Sequence, residues 1–378
     1  MSVMESLFWT SAALVVYIYV GYPILVMLLA RLLGRSVRRA PNCPSVTVLI
    51  AARNEAACIR ETVLNKLEQD YPSHLLDIIV VSDASDDETD SIVESLGERV
   101  KLLRQEPRGG KTAALNRAAL EARGQILVFA DANSMYAPST VRSLAANFAD
   151  PSVGYVTGKM VYITKQGSMV GDGCSTYMRY ENWLRERETQ LGSVIGVDGG
   201  VDAIRRSLYS PMRADQLPDF VLPLRVAAMG FRVVYEPDAQ LNEMALAKHR
   251  DELQMRVRVS LRALWALWDM RGLLNPINHG MLAWQLASHK LLRYLAFAPL
   301  VALFVTSFML TPSGTVYAIA AVSQIAYYSL GLIGWRSQHG LVAIAVPYYF
   351  LLLNVSSAIA FVRFLRGQQM TVWVSRVG

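Results

Sequence analysis

Apolar residues follow two rhythms along this chain. At both ends they run almost unbroken; in the middle they come in short bursts separated by polar, helix-like stretches. Leu7 to Ala30 holds 24 residues without a charge and exits into Arg31, Arg35, Arg38 and Arg39. As a helix it covers roughly 36 Å, enough to cross a ~30 Å hydrocarbon core. Tyr294 to Trp335 is 42 residues without Asp, Glu, Lys or Arg, interrupted by Thr311-Pro312-Ser313-Gly314, and predicts two spans joined by a tight turn. A further uncharged run, Leu341 to Val362, follows Arg336 and His339 and predicts a fourth. The first run does not read as a signal peptide: it is too long, its early charge is Glu5, and no clean small-residue cleavage site follows. Its acidic start and basic exit place the N-terminus outside and the following residues in the cytoplasm. Four spans put the C-terminus outside, whereas Arg363, Arg366 and Arg376 favour the inside. The last run is therefore either re-entrant or a crossing in which packing overrides charge.

Between these ends, Val46–Ala51, Ile78–Ser82, Lys101–Arg104 and Ile126–Ala130 are short runs suited to buried parallel strands. The stretches Glu55–Glu68, Glu88–Leu96 and Thr112–Ala122 between them have helical character. This alternation predicts an α/β domain with a mostly parallel sheet and helices on both faces. Further on, in Met255–Leu274, the charges Arg256, Arg258, Arg262, Asp269 and Arg271 alternate with Leu, Val, Trp265 and Trp268. It reads as an amphipathic helix in the membrane interface, with a core helix of the soluble domain as the alternative. The resulting division is 1–40 for the first span and basic exit, 41–250 for the cytoplasmic domain, 251–292 for interfacial helices and 293–378 for the C-terminal spans.

Composition supports this picture. With 53% hydrophobic and 18% charged residues and a mean hydropathy of +0.26, the chain is too apolar for a soluble domain alone and excludes disordered or collagen-like classes. The net charge of +6 has two readings, a nucleic-acid footprint or the basic edges of membrane spans. The arginines cluster where the first apolar run ends, which favours the membrane and no nucleic-acid partner. Cys43, Cys58 and Cys174 make no disulfide framework, and neither they nor the scattered His residues have metal-site spacing.

Open parallel sheets bind ligands at the carboxyl ends of their strands. Four segments meet there: Ala52-Arg53-Asn54-Glu55, then Asp83-Ala84-Ser85-Asp86-Asp87-Glu88-Thr89, then Arg108-Gly109-Gly110-Lys111-Thr112, and Asp131-Ala132-Asn133. Carboxylates with a divalent metal between them, beside a cationic glycine turn, hold a diphosphate. Singly each is weak, and Asp87 serves equally as a helix cap. Gly110-Lys111-Thr112 is not a P-loop, because Gln105 stands where its first glycine belongs. Gly196-Val197-Asp198-Gly199-Gly200 has the wrong spacing for a dinucleotide fingerprint.

These segments resemble glycosyltransferase family 2, in the membrane-integrated branch that includes cellulose, chitin-oligosaccharide, hyaluronan and poly-N-acetylglucosamine synthases. Ala51 to Glu55 is similar to the family's Pro-x-Tyr-Asn-Glu turn, and Asp83 to Thr89 to its Asp-Gly-Ser-x-Asp-Gly-Thr. Gly110-Lys111-Thr112-Ala113-Ala114-Leu115-Asn116 matches Gly-Lys-x-x-Ala-Leu-Asn, and Asp131-Ala132-Asn133 resembles the metal-binding Asp-x-Asp. The Glu-Asp motif, whose Asp is the family's base, fits Pro218-Asp219 before a helix at Phe220–Met229. The resemblance covers about 45–270 and implies a GT-A-type domain between N- and C-terminal transmembrane helices. It implies inverting sugar transfer from a nucleotide-sugar, a UDP-sugar by expectation, at the inner (plasma) membrane.

By the same resemblance Asp219 is the base. Ala52, Arg53, Glu55, Asp83, Lys111, Asp131 and Arg258 bind the donor, and Asp131 with Asn133 holds Mg2+ or Mn2+. The turn Asp198-Gly199-Gly200 lines the acceptor end. Asp219 as a helix N-cap and Arg258 as a headgroup contact are the structural alternatives. Implied partners are the donor, a glycan or lipid-linked acceptor, membrane lipids, and export or co-synthase subunits. Three departures stand out: Asn133 for the second Asp, Pro218 for Glu, and Met255-Arg256-Val257-Arg258-Val259 in place of Gln-x-x-Arg-Trp. The last leaves Val259 where processive synthases carry a stacking Trp, with Trp183, Trp265 and Trp268 as possible substitutes.

Overall fold

The computed structural model describes residues 1–41, 43–163, 169–244, 248–337 and 341–369. His339 and Arg376, used above to orient the last run, lie outside the described residues. Contacts divide the chain into a helical unit (Met1–Leu32, Tyr162–Leu184 and Met244–Gln368) and a sheet unit (Leu33–Val161 and Arg185–Glu243).

The sheet unit contains β1 Val46–Ala52, β2 Leu76–Asp83, β3 Val100–Gln105, β4 Ile126–Asp131, β5 Met135–Tyr136, β6 Val153–Ile163, β7 Val201–Arg205 and β8 Arg232–Met244. Their order is β3-β2-β1-β4-β7-β6-β8-β5. The four expected strands are present, each slightly longer than its apolar run, and β1, β2, β3 and β4 pair in parallel. β1 is buried along its whole length, as expected of a strand covered on both faces. β7 then joins β4 antiparallel, β6 joins β7 and β5 joins β8 the same way, giving a mostly parallel mixed α/β sheet. The edges discourage further pairing: β3 exposes Lys101 and Arg104, and β5 is two residues long. Register positions the site. Ala52 lies opposite Ser82, Asp83 opposite Gln105, and Ala51 opposite Asp131, so the loops after the parallel strands leave from one level.

Among the described residues of the helical unit, three helices are long and apolar enough to cross a membrane: Val3–Leu33, Thr315–Arg336 and Ala343–Leu365. A fourth crossing needs the bent pair Pro276–Tyr294 and Phe297–Met309, which meet at 58°. The first of the two spans expected from Tyr294 on is thus met only by this bent pair, which begins at Pro276. Phe297–Met309 has 13 residues, roughly 20 Å, too short alone. Pro299 lies four residues after Leu295 and has no N–H for that carbonyl, which favours the break. Two further irregularities are π-helical, at Tyr17–Gly21 and Leu286–Leu291. The predicted amphipathic stretch forms the helix His249–Asp269, which buries Val257, Leu261, Leu264 and Leu267 and packs along Val342–Leu365. A core of Met169, Cys174, Met178, Tyr348, Tyr349 and Leu352 lies beside it.

Candidate active site

The loops after β1 and β2 are tied to each other by side chain to backbone hydrogen bonds. Arg53 Nη1 donates to the carbonyls of Asp83 and Ala84, both at 3.0 Å. The amides of Glu55 and Ala56 donate to Thr89 Oγ1 (2.9 Å) and Asp87 Oδ2 (3.1 Å). Asn54 and Asp86 exchange two bonds, of 2.6 and 3.1 Å. Asp87 Oδ1 accepts from the Thr89 amide at 3.0 Å, an Asx-type turn just ahead of the helix Thr89–Glu94, whose N-cap is Glu88 rather than Asp87. Asn54 and Ala84 have φ of 52° and 54°, a left-handed conformation that non-glycine residues rarely adopt.

Asp83 is almost fully buried and ties these loops to the glycine turn. Oδ1 accepts from Gln105 Nε2 at 2.8 Å and the Gly109 amide at 2.7 Å, and Oδ2 accepts from the Gly110 amide at 2.8 Å. Amides that a P-loop would aim at phosphate are therefore directed at this carboxylate. The helix Lys111–Glu121 follows at once, and Lys111 Nζ reaches Asp131 Oδ1 in an ion pair. Beside Asp131, burial raises the Glu55 carboxyl above its usual range; Cys58 Sγ donates to it at 3.2 Å, and burial pushes that thiol up to about 12.

The other wall comes from the antiparallel strands and the helix Pro218–Ala228. Gly199 and Gly200 have φ of 72° and 79°, and Tyr136 Oη donates to the Gly200 carbonyl at 2.7 Å. A Cβ on Gly199 would stand 2.7 Å from Asp219 Oδ2, and one on Gly200 3.1 Å from Asp131 Oδ2. Two carboxylates thus crowd one turn whose positive φ values already disfavour a side chain. Leu217 is the N-cap of the helix and Pro218 its first residue, so Asp219 sits in the first turn rather than at the cap. Asp198 is bound bidentately by Arg185, at 2.5 and 2.6 Å, and both side chains are buried. That pair fixes the loop, and the part of it that borders Asp131 and Asp219 is the glycines. Lys111, Gly199, Gly200, Asp219 and Asp202 line a cavity of about 20 Å³, the room of one water.

Three groups here were not singled out from sequence. Asp202 is fully buried in β7 opposite Thr157, and burial, reinforced by Asp219 and Asp198, lifts its carboxyl to about 7. A charge inside Val201-Asp202-Ala203-Ile204 was the available signal. Lys66 is buried with Nζ over the Tyr136 ring, and burial lowers it to about 7. It shares the inward face of its helix with Ile59 and Val63, a spacing that could have revealed it. Cys58 stands one residue before that helix.

For a divalent ion, the candidate donors are the Asp131 carboxylate and the Asn133 amide oxygen. Asn133 is exposed, and no cluster of three His, Cys, Asp or Glu occurs among the described residues. Hard oxygens of this number fit Mg2+ or Mn2+ completed by a substrate diphosphate, since such ions usually keep few protein ligands. Arg258 lies half-buried in the helical unit on His249–Asp269, and burial lowers its guanidinium. Val259 lines a cavity of that same unit, and Trp265 packs on Phe364 at 4.7 Å.

Residues 47–209 match the family model of glycosyl transferase family 2, which supports a glycosyltransferase domain over this stretch. The chain is similar to the β-monoglucosyldiacylglycerol synthase of Trichormus variabilis, 27% identical over 170 residues, covering 44% of this chain and 36% of that one. It is also similar to an N-acetylglucosaminyltransferase of Rhizobium leguminosarum bv. viciae, 27% identical over 253 residues, 61% of this chain and 57% of that one. The chain spans about a third to a half of the length of the first curated relatives it matches. Among solved structures, the mannosyltransferase PcManGT of Pyrobaculum calidifontis, in complex with GDP-Man and Mn2+, superposes with a TM-score of 0.68 at 24% identity. The match covers 94% of this chain and 99% of that one. The shared architecture is the GT-A fold.

Proposed function

We propose that the protein is an inverting glycosyltransferase of the plasma (inner) membrane. It moves a sugar from a nucleotide diphosphate donor, a UDP-sugar by first expectation, to a hydroxyl of a glycan acceptor, in extracellular polysaccharide or oligosaccharide synthesis. The sheet unit faces the cytoplasm. The observation that carries this reading is the glycine turn with Asp131 on one side and Asp219 on the other. Asp219 takes the proton of the acceptor hydroxyl. Asp131 and Lys111 serve the diphosphate: the Lys111 ammonium, now paired with Asp131, turns to phosphate oxygens when the donor arrives. A divalent ion held by Asp131 and Asn133 would neutralise charge on the departing diphosphate. Arg53, Glu55 and Asp83 border the nucleoside end with the Ala52 backbone, and Arg258 is assigned to the diphosphate by family resemblance. A base set opposite the leaving group inverts the anomeric carbon.

A second reading, single addition to a lipid-linked or polyprenyl-phosphate acceptor, is favoured by Val259 in place of an aromatic platform and by relatives whose names specify diacylglycerol. A base such as Asp219 suits a hydroxyl better than a phosphate oxygen, which needs no deprotonation near pH 7. Purified protein should be screened with UDP-glucose, UDP-N-acetylglucosamine and GDP-mannose, with mass spectrometry of products on oligosaccharide and lipid acceptors. Elongated glycans support the first reading and one sugar on a lipid the second. No transfer from any nucleotide-sugar to either acceptor class counts against both.

A further inference from the structure

The helical unit contains a second and larger cavity, of about 330 Å³, lined wholly by its own residues. Its wall takes Tyr19, Tyr327 and Asn354 from the three long apolar helices, well away from their ends. His289, Lys290 and Arg293 come from the bent pair. Polar backbone irregularity at membrane depth is tolerated where it lines a cavity, and π-bulges and broken helices recur at binding sites. Here all three irregularities meet the same space. The π segment Tyr17–Gly21 supplies Tyr19, the π segment Leu286–Leu291 supplies His289 and Lys290, and Arg293 lies just before the bend. The two π segments are joined by Tyr17 Oη and Ser288 Oγ at 2.7 Å.

Charge on this wall has one sign. Arg256, Lys290 and Arg293 line it, and among the described residues no Asp or Glu does. The balancing carboxylates stand behind the arginines. Glu252 accepts from Arg256 at 2.8 Å and from Tyr349 Oη at 2.7 Å; Glu181 accepts from Arg293 at 2.5 Å and lies 3.3 Å from His289. Both carboxylates are nearly fully buried, whereas the two arginine side chains keep 17% and 18% of their surface accessible and line the cavity. Rings pack against Arg293, which lies 5.3 Å from the Tyr177 centroid and 5.2 Å from that of Tyr180. The rest of the wall mixes tyrosine and small polar residues such as Thr176, Ser260 and Ser357 with apolar Val346, Phe350 and Leu353.

Ionisable groups are costly within membrane helices and mark sites when they converge on a cavity. We propose that this cavity binds the phosphate head of a membrane amphiphile, with Arg256, Lys290 and Arg293 on the phosphate oxygens and the apolar side chains along its chain. Guanidinium forks match phosphate oxygens, and tyrosine hydroxyls add donors. A lipid phosphate also brings burial of its tail, which a soluble anion lacks. The inference is independent of sugar transfer, because binding needs no donor.

The test uses the full chain in a neutral maltoside detergent, with hexadecyl phosphate, hexadecanol and inorganic phosphate as ligands and native mass spectrometry as the readout. Hexadecyl phosphate should bind one per chain and at least about tenfold more tightly than hexadecanol, the scale of a charge-assisted contact. Inorganic phosphate should not displace it. Lys290→Gln should weaken the phosphate ligand about tenfold and leave the alcohol unchanged, and Lys290→Arg should restore it. The double variant Glu181→Gln with Arg293→Gln removes a pair without stranding a charge, and should weaken binding in the same selective way. Equal binding of alcohol and phosphate overturns the proposal, as does unchanged binding by both the Lys290→Gln and the double variant. Displacement by inorganic phosphate at comparable concentration overturns its lipid part.

Discussion

The two halves of the sheet build their walls of the candidate active site by different means. On the parallel side, β1 to β4 end level, and charged groups in the loops bond to nearby backbone: Asp83 to the Gly109 and Gly110 amides, Arg53 to two carbonyls, Asp87 to Thr89. On the antiparallel side the same task falls to a buried ion pair, Arg185 with Asp198, and a crowded glycine turn. There a second acid, Asp202, is buried close to Asp219. Backbone amides stabilise a carboxylate wherever the loop goes, so the first wall tolerates local change. An ion pair depends on both partners, and a buried acid depends on its proton, so the second wall is the sensitive one.

The largest effect should come from Asp131→Ala, which removes the group that both walls touch. It should abolish donor binding and turnover together, and EDTA should reproduce the loss of turnover. Nucleotide-sugar binding by calorimetry checks the first, and full activity in excess EDTA would contradict the metal assignment. Arg185→Gln strands a buried carboxylate and should destabilise the protein by about 3–5 kcal/mol, more than Arg185→Gln with Asp198→Asn together. Thermal melting of the two variants decides this, and an equal loss would mean that the pair is not what shapes the wall. Asp219→Asn should leave donor affinity nearly intact while lowering transfer by about 100-fold or more. A matching loss of donor affinity would move Asp219 to the donor wall.

Asp202 predicts a pH dependence with a definite sign. Its carboxyl is raised to about 7 in the folded protein, mainly by burial, from the usual value near 3.8. Between those values the folded state keeps a proton that the unfolded state has lost, so this acid's contribution to stability falls as pH rises from about 4 to 7 and stays lost above. Asp202→Asn should therefore stabilise the protein at pH 8, on the order of 2 kcal/mol, and make little difference near pH 4. Melting temperatures across that range test it. The smallest effect belongs to the tolerant wall. Ala84→Gly, at φ 54° where the resembling motif carries glycine, should stabilise by about 1 kcal/mol without changing turnover.

The same contrast explains what was legible in the sequence. Parallel strands buried on both faces are continuous apolar runs, so all four could be read within a residue or two, and the groups after them are contiguous motifs. Asp83 was expected at the nucleoside, and its latch on Gly109 and Gly110 shows only in three dimensions, because nothing in a motif says which oxygens are already taken. Asp198 is expected at the acceptor end by family resemblance alone; that it is held by a guanidinium 13 positions away on a long helix is a pairing no local motif reveals. The bend near Leu295 was hidden inside an uncharged run, where composition registers length but not direction. Of the arginine and glutamate pairs of the helical unit, Glu252 with Arg256 is a local i,i+4 pair, whereas Glu181 and Arg293 stand 112 positions apart, beyond any local pattern.

Gly199 and Gly200 have a consequence for variation. A glycine codon mutates by one base to residues that all carry a Cβ, and here each would need a left-handed backbone and press on a carboxylate. The turn therefore has no neighbouring sequence through which to drift. A library randomised over residues 196–201 and selected for activity should return glycine at these two positions while Val197 varies. New specificities in this scaffold would then arise at the rim of the cleft and leave the turn unaltered.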